Sequence, residues 1–372
     1  MHKPKKFKLH KDFLRKEIFK INGAYIKSIQ YKSGAIPSNE DGTHDPWDHI
    51  ESIMGLNIYK DIEASKSAFN WLIENQNSDG SWYAKYHDKN AIEKNKPTHF
   101  SPYIAVAALH FFKIFNDINF LKSIWSSIEL AVNFSVDLQQ DNGTIPWSID
   151  SNNDIENDFL LTGCSSILKS IECGIAISNI LDETEHIKKW KKAYLLLSQA
   201  IQGPIGKFDL TQDRKRFSMD WYYPILSGCL KQDEKLRYIH KIFKDFYVEG
   251  IGIKCVIEEP WVTVAETSEF ILSLMCAGYE DEAKRLLIDV LNISDTEGIP
   301  YMGWQYEENI FWPEEKPSWT AAALMLSVDC VVNYSDASDL FISSVTSNIL
   351  LQSLPPYPVE GKVPILLILI VT

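Results

Sequence analysis

"DNGTIPWSID", residues 141–150, recurs in outline at two distant places, as "SGAIPSNEDG" at 33–42 and "TEGIPYMGWQ" at 296–305. Each carries a glycine, an optional residue and then Ile-Pro. A fourth loop, "QNSDGSWYAKY" at 76–86, has the same turn chemistry at Asp79-Gly80. All four follow long segments, 11–31, 61–76, 120–139 and 279–292. Their apolar residues fall at helical spacing, as in Phe120, Leu121, Ile124, Trp125 and Ile128. A loop repeated at wide, fairly regular intervals is the mark of a repeat architecture.

A second signature stands where the next helix should open: "HDPWDH" at 44, "FSPYIA" at 100, "EEPWVT" at 258 and "EKPSWT" at 315. In each, a polar residue precedes proline and an aromatic follows, which fits an N-cap with proline at the first helical position. Two further openings, "LLTGCSSILKS" from 160 and "SMDWYYPILSG" from 218, complete a series of six. The segments that follow, such as "IAVAALHFF" and "AAALMLSVDCVV", are apolar all round and predict buried helices. Six outer-inner helix pairs therefore predict an all-α fold, an (α/α)6 toroid, over residues 1–350 as one domain. The outer-to-inner loops gather at one end of it. The stretch 351–372 is a separate tail whose end, "VPILLILIVT", is apolar but too short to cross a bilayer as a helix.

The stretch Gln76 to Trp82 is a full Q-x-x-x-G-x-W, and Gln139 to Trp147 a degenerate copy. In this the chain resembles the triterpene cyclases and protein prenyltransferase β subunits, which are α/α toroids. The six-hairpin glycosidases share that toroid, and their sites are rich in acids and tryptophan. "DPWDH", "SMDWYYP", "EPWVTVAETSE" and "FWPEE" are similar to bacterial proteins labelled prenyltransferase-like. The resemblance implies the fold, and either isoprenoid or glycoside chemistry.

The chain of 372 residues is 45% hydrophobic, 23% charged and 12% aromatic, with 11 Trp and 16 Tyr and a net charge of −13. An acidic surface excludes nucleic acid and anionic membranes as natural partners. A small molecule or glycan is the expected partner. The basic start is followed by no apolar run of signal length, so the expected compartment is the cytoplasm. Six cysteines without any C-x-x-C fit reduced core thiols.

Terpene cyclisation needs an Asp-rich D-x-D-D acid and prenyl-diphosphate ionisation needs paired acids on Mg²⁺, and neither D-x-D-D nor D-D-x-x-D occurs. The zinc set of protein prenyltransferases needs Asp, Cys and a later His, but Asp329-Cys330 comes after the last histidine, His240. No metal and no cofactor are expected. Glycoside chemistry needs two carboxylates facing one cleft and aromatic plates for sugar rings. Asp48, Asp220, Glu259, Glu266 and Glu314 each lie close in sequence to an aromatic residue, and an acid beside tryptophan can be desolvated, which is what a general acid requires.

Each candidate carries a structural alternative. Asp45 reads as an N-cap and Asp48 as its capping-box partner or a pocket acid; Glu259 occupies the equivalent cap position. Glu266 lies inside an apolar helix, where a carboxylate needs a partner or a task. Asp220 is a second strong candidate, with a cap as its alternative. For binding, the candidates are Trp47, His49, Trp82, His99, Trp221, Tyr222, Trp261, Trp312 and Trp319, against the usual role of Trp as a wedge in the core. Asp213, Arg214 and Arg216 read as a solvated loop, with an arginine contact to substrate as the alternative. The first expectation is a saccharide- or glycoconjugate-acting enzyme using carboxylate acid-base catalysis. The second is an isoprenoid-acting prenyltransferase or cyclase, and the third a non-catalytic glycan- or lipid-binding toroid.

Overall fold

The computed structural model describes residues 11–344, with side chains described from residue 17 onward. The 351–372 tail lies outside the described residues. Helices come in pairs: α1 (Lys11–Ile29) with α2 (Pro46–Tyr59), and α3 (Ile62–Asn75) with α4 (Ile104–Phe115). An outer helix broken into α5 (Ile118–Ser123) and α6 (Trp125–Asp137) precedes α7 (Leu161–Leu181). Then α8 (Ile187–Gln202) pairs with α9 (Met219–Leu226), α10 (Gln232–Asp245) with α11 (Val264–Cys276), and α12 (Glu280–Val290) with α13 (Ser318–Val332). The inner members α2, α4, α7, α9, α11 and α13 pack side by side in that order, and α13 closes on α2. This is the (α/α)6 toroid that the spacing of the loops predicts.

The repeated glycine loops are joints of the outer ring. Gln30 Nε2 donates to Gly34 O at 3.1 Å and to Ala64 O of α3 at 3.0 Å. Gln76 repeats this with Gly80 O at 3.1 Å and Ser127 O of α6 at 2.9 Å, and Gln139 with Gly143 O at 3.1 Å and Ala193 O of α8 at 3.0 Å. The three glycines have φ of +95°, +88° and +89°, and a Cβ on them would collide with the carbonyls of Ser67, Leu130 and Leu196. Those carbonyls lie three residues beyond the ones the glutamines bind. Only glycine combines that backbone with that approach. At the fourth loop, Asn22 of α1 donates to Gly298 O at 3.4 Å, so the joint returns to the first helix.

Among the described residues proline opens a helix at its first position only at Pro46, where Asp45 accepts from Asp48 N at 2.8 Å. Pro317 is itself the N-cap of α13, and α4 begins at Ile104, after Pro102. "EEPWVT" is no helix opening: Trp261–Thr263 is a strand, paired antiparallel with Gly303–Gln305, and Thr263 caps α11. Glu259 therefore caps nothing and is exposed. The strand is favoured because Trp-Val-Thr is an aromatic and β-branched run. A second three-stranded sheet joins Thr43–His44, Lys85–His87 and Asn90–Glu93, with His44 opposite Tyr86. These small sheets stiffen the loops at the end where the inner helices begin.

Among the described residues one helix, α7, is long and apolar enough to cross a membrane, but 83% of its apolar window is buried inside the ring. It is a core helix. All six cysteines are free, with Cys164, Cys173 and Cys330 buried.

Candidate active site

The N-terminal ends of the inner helices point to the loop-bearing mouth, and α2 and α11 carry acids there. Asp45, Asp48 and Glu51 follow at intervals of three, so they share one face of α2. Glu266 and Glu269 repeat that interval on α11. The result is two tiers: Asp48 and Glu266 in the first turns, Glu51 and Glu269 one turn deeper. Asp48 accepts from Ser38 Oγ at 2.6 Å, and Glu266 from the hydroxyl of Thr263. Glu269 accepts from Tyr222 and Tyr223, both at 2.5 Å.

Burial is the largest influence on Asp45, Asp48, Glu51 and Glu269. It holds Asp45 up at about 6 against the hydrogen bonds from the Asp48 and Trp47 amides. Burial and then the neighbouring Asp45 push Asp48 well above the ordinary carboxylate range, and burial with Glu269 and Asp48 does the same to Glu51. Glu269 rises to about 7, because burial outweighs its two tyrosine donors. Acids that share one site cannot all ionise, so some of this set hold protons at neutral pH.

Aromatic rings wall the mouth. Trp47 stacks on Tyr103 of α4 with centroids 4.3 Å apart and planes at 14°, meets His99 edge-on at 5.3 Å, and lies 6.0 Å from Tyr223 of α9. Glu51, Glu269, Tyr103, Tyr223 and Lys169 line a narrow cavity of about 30 Å³. The Lys169 ammonium is itself paired with Glu172 at 2.8 Å.

A second, larger cleft of about 540 Å³ opens between the 204–215 loop and α9. Asp220 lines it, 6% exposed, with Arg214 Nε 3.4 Å from its carboxylate and Asp209 4.0 Å from the same nitrogen. Burial, eased by Arg214, raises Asp220 to about 7. Among the described residues no group of three or more His, Cys, Asp or Glu is placed to hold a metal ion.

No family model matches the chain. An MMP endo-(1,4)-3-O-methyl-alpha-D-mannosidase of Mycolicibacterium hassiacum is 34% identical over 316 residues, covering 85% of this chain and 86% of that enzyme. The chain belongs to the family of this mannosidase. It is a glycoside-acting enzyme, a hydrolase by kinship. A wild-type glycosidase superposes with a TM-score of 0.67 at 12% identity, over 88% of this chain and 100% of that one. A GH63 mannosylglycerate hydrolase of Thermus thermophilus gives 0.67 at 10%, over 82% and 99%, and a D-mannose isomerase 0.67 at 13%, over 87% and 98%. At such identities these structures establish the shared toroid alone, and the isomerase shows that the toroid does not dictate the reaction. The prenyltransferase side of the resemblance finds no support in these relatives.

Within this mannosidase family member the predicted residues divide. Trp47 and His99 meet at the mouth, Asp48 and Glu266 each lie within electrostatic reach of Glu269, Tyr222 is buried with its hydroxyl on Glu269, and Asp220 with Trp221 borders the lateral cleft. Trp319 is half-buried in the first turn of α13. His49 does not reach the site: its Nδ1 accepts from Ile36 N at 3.1 Å and its Nε2 bonds Ala68 O at 3.0 Å, so both nitrogens are consumed behind α2. Trp82 is fully buried with its N–H on Leu72 O at 2.9 Å, a core wedge between outer helices. Trp261 and Trp312 meet edge-on at 5.4 Å on the rim, where Trp312 is 53% exposed and Glu314 is exposed beside it. Sequence reasoning misses Glu51, Glu269, Tyr103 and Tyr223. The three-residue interval in "DPWDHIE" and "ETSE" is the available signal, since acids repeating at helical spacing inside apolar helices share one buried face.

Proposed function

We propose that this protein hydrolyses α-D-mannosides within a (1,4)-linked chain that bears O-methyl groups, the activity for which its mannosidase relative is named. The observation that carries the mechanism is the two-tier set of acids on α2 and α11 under the Trp47 platform. Asp48, kept protonated by burial and by Asp45, gives its proton to the departing glycosidic oxygen as the C–O bond at the anomeric carbon breaks. Glu266, in the first turn of the other acid-bearing helix, takes the proton that the added water loses, so that one bond is exchanged for one water. Trp47 and Tyr103 offer a stacked apolar face for a sugar ring. Glu51 and Glu269 sustain the charge balance from below.

An isoprenoid site would be dry, with an isolated acid or a metal pair. Here two carboxyls, a lysine and two serines line the enclosed space together with aromatic and aliphatic side chains, and what favours a saccharide is the kinship with a mannosidase. Free thiols, none of them exposed, support a reducing compartment, and we infer the cytoplasm. The test is hydrolysis of α-(1,4)-mannooligosaccharides, with and without 3-O-methyl groups, by the purified protein, with products read by NMR. Release of shorter mannooligosaccharides supports the reading. Binding without cleavage would make the toroid a glycan-binding protein, and cleavage of neither series would overturn the reading.

A further inference from the structure

Asp220 is the least satisfied buried acid among the described residues that still faces open space. Only 6% exposed, it borders the lateral cleft, and neither carboxylate oxygen has a well-aligned hydrogen bond, although Arg214 and Thr162 stand beside it. A buried carboxylate left in that state asks for donors from outside the chain. Arg214 offers no free anion site, because Asp209 and Asp220 already flank its guanidinium. What suits it is a neutral molecule with several hydroxyl donors, as a sugar has.

The remaining walls set Thr211, Gln212, Asp213 and Lys215 beside apolar side chains, some of them unusually bare. Ile205 is 96% exposed and Leu210 57% exposed on the loop that borders the cleft, and Trp221 and Tyr238 stand opposite, 5.6 Å apart. The Trp221 indole is tethered through its N–H to Lys215 O at 3.1 Å, which ties the ring to the same loop. Isoleucine and leucine side chains bare on a loop rim, beside a polyol-binding carboxylate, match a sugar that carries methyl ethers as well as hydroxyls.

We propose that the cleft between the 204–215 loop and α9 is a distal saccharide subsite that takes an O-methylated sugar residue of the chain whose scissile bond lies at the mouth. Asp220 and Arg214 receive its free hydroxyls, and Ile205, Leu210 and Trp221 its methylated edge. The proposal rests on the mannoside-hydrolase reading for its substrate and adds to it a place where chain length and methylation are sensed.

The test compares kcat/KM for a long 3-O-methylated mannooligosaccharide with that for a short unmethylated one, in the wild type and in Ile205→Ser, Trp221→Ala and Asp220→Asn. Ile205→Ser sits on an exposed loop and cannot disturb the core. The ratio of long methylated to short unmethylated falls about fivefold or more in each variant if the subsite exists, since a site that recognises a methyl or a hydroxyl discriminates on at least that scale. A ratio unchanged within about twofold in Ile205→Ser and Trp221→Ala overturns it. Calorimetric titration of the Glu266→Gln protein with the same long oligosaccharide, with and without Trp221→Ala, separates this proposal from the hydrolase reading. If the wild type cleaves no mannoside, that reading fails, yet binding weakened by Trp221→Ala still sustains the subsite. Binding indifferent to Trp221→Ala, or no binding at all, overturns the subsite.

Discussion

Tyr223 donates its hydroxyl to Oε1 of Glu269 at 2.5 Å, and this bond ties α9 to α11 directly beneath the aromatic mouth. The same ring of Tyr223 reaches Trp47 of α2 at 6.0 Å, so one tyrosine links three inner helices around the axis. Glu269 is half-buried with both oxygens engaged, and an unsatisfied acceptor away from water costs about 1–3 kcal/mol. Tyr223→Phe is expected to lower stability by about that amount, and Glu269→Gln by less, because an amide oxygen still accepts. Combined, the two should destabilise less than the sum of the singles, since the first loss removes what the second would break. Chemical denaturation of the four proteins of this cycle measures the coupling; strict additivity would show that the bond carries no weight.

Asp48→Asn and Glu266→Gln each remove a proton-handling group while leaving the side-chain volume nearly unchanged. Loss of a general acid or base lowers kcat by about 10²- to 10⁴-fold. Both variants should show that loss with an unaltered circular dichroism spectrum, and Asp48→Asn should be the more sensitive to leaving-group acidity, because an activated aryl mannoside needs no proton on departure. Retained kcat in either variant would remove that residue from the mechanism.

The outer-ring joints are legible in the sequence, whereas the site is legible only in part. A Gly-Ile-Pro-type loop can be counted without knowing its contacts, and the series of helix openings beside it gives the number of helix pairs. Asp48 and Glu266 stand out because an acid in an apolar helix is a local anomaly. His49 is misplaced by sequence reasoning because its partners, Ile36 N and Ala68 O, come from segments 13 and 19 residues away, on both sides of it in the chain. Trp82 misleads for a related reason: its indole N–H is taken by Leu72 O, a partner that only the folded outer ring brings up. Glu51 and Glu269 escape notice because each reads alone as an ordinary helix acid, and only the convergence of α2 and α11 on the axis makes them a pair.

The Q-x-x-x-G-x-W stretch should behave as architecture, not chemistry. Gly80→Ala forces a Cβ against Leu130 O at a φ of +88°, and a strained, colliding backbone of this kind costs on the order of 1–3 kcal/mol. Gln76→Ala removes two hydrogen bonds and should cost about 1–2 kcal/mol. Thermal melts should register both losses, while kcat per folded molecule stays at the wild-type value. A fall in kcat at full folding would instead implicate the 77–99 loop in substrate contact.

Stability should fall as pH rises through the neutral range. Burial raises Asp45 to about 6 and Asp220 and Glu269 to about 7, with Asp48 and Glu51 raised as well. The folded state thus holds protons that the unfolded chain releases near its ordinary carboxylate values of 3.8 and 4.5. Stabilisation by these protons is complete below that range and is lost as pH climbs through about 6 to 7. Melting temperature should therefore decline from about pH 5 to about pH 8, and Glu269→Gln, which cannot ionise, should flatten part of that decline. Activity is expected to share the alkaline limb, because the Asp48 proton that serves the leaving group is drawn from the same coupled set. If melting temperature rose over this interval, the acids at the mouth would be ionised in the native state and Asp48 could not act as the proton donor.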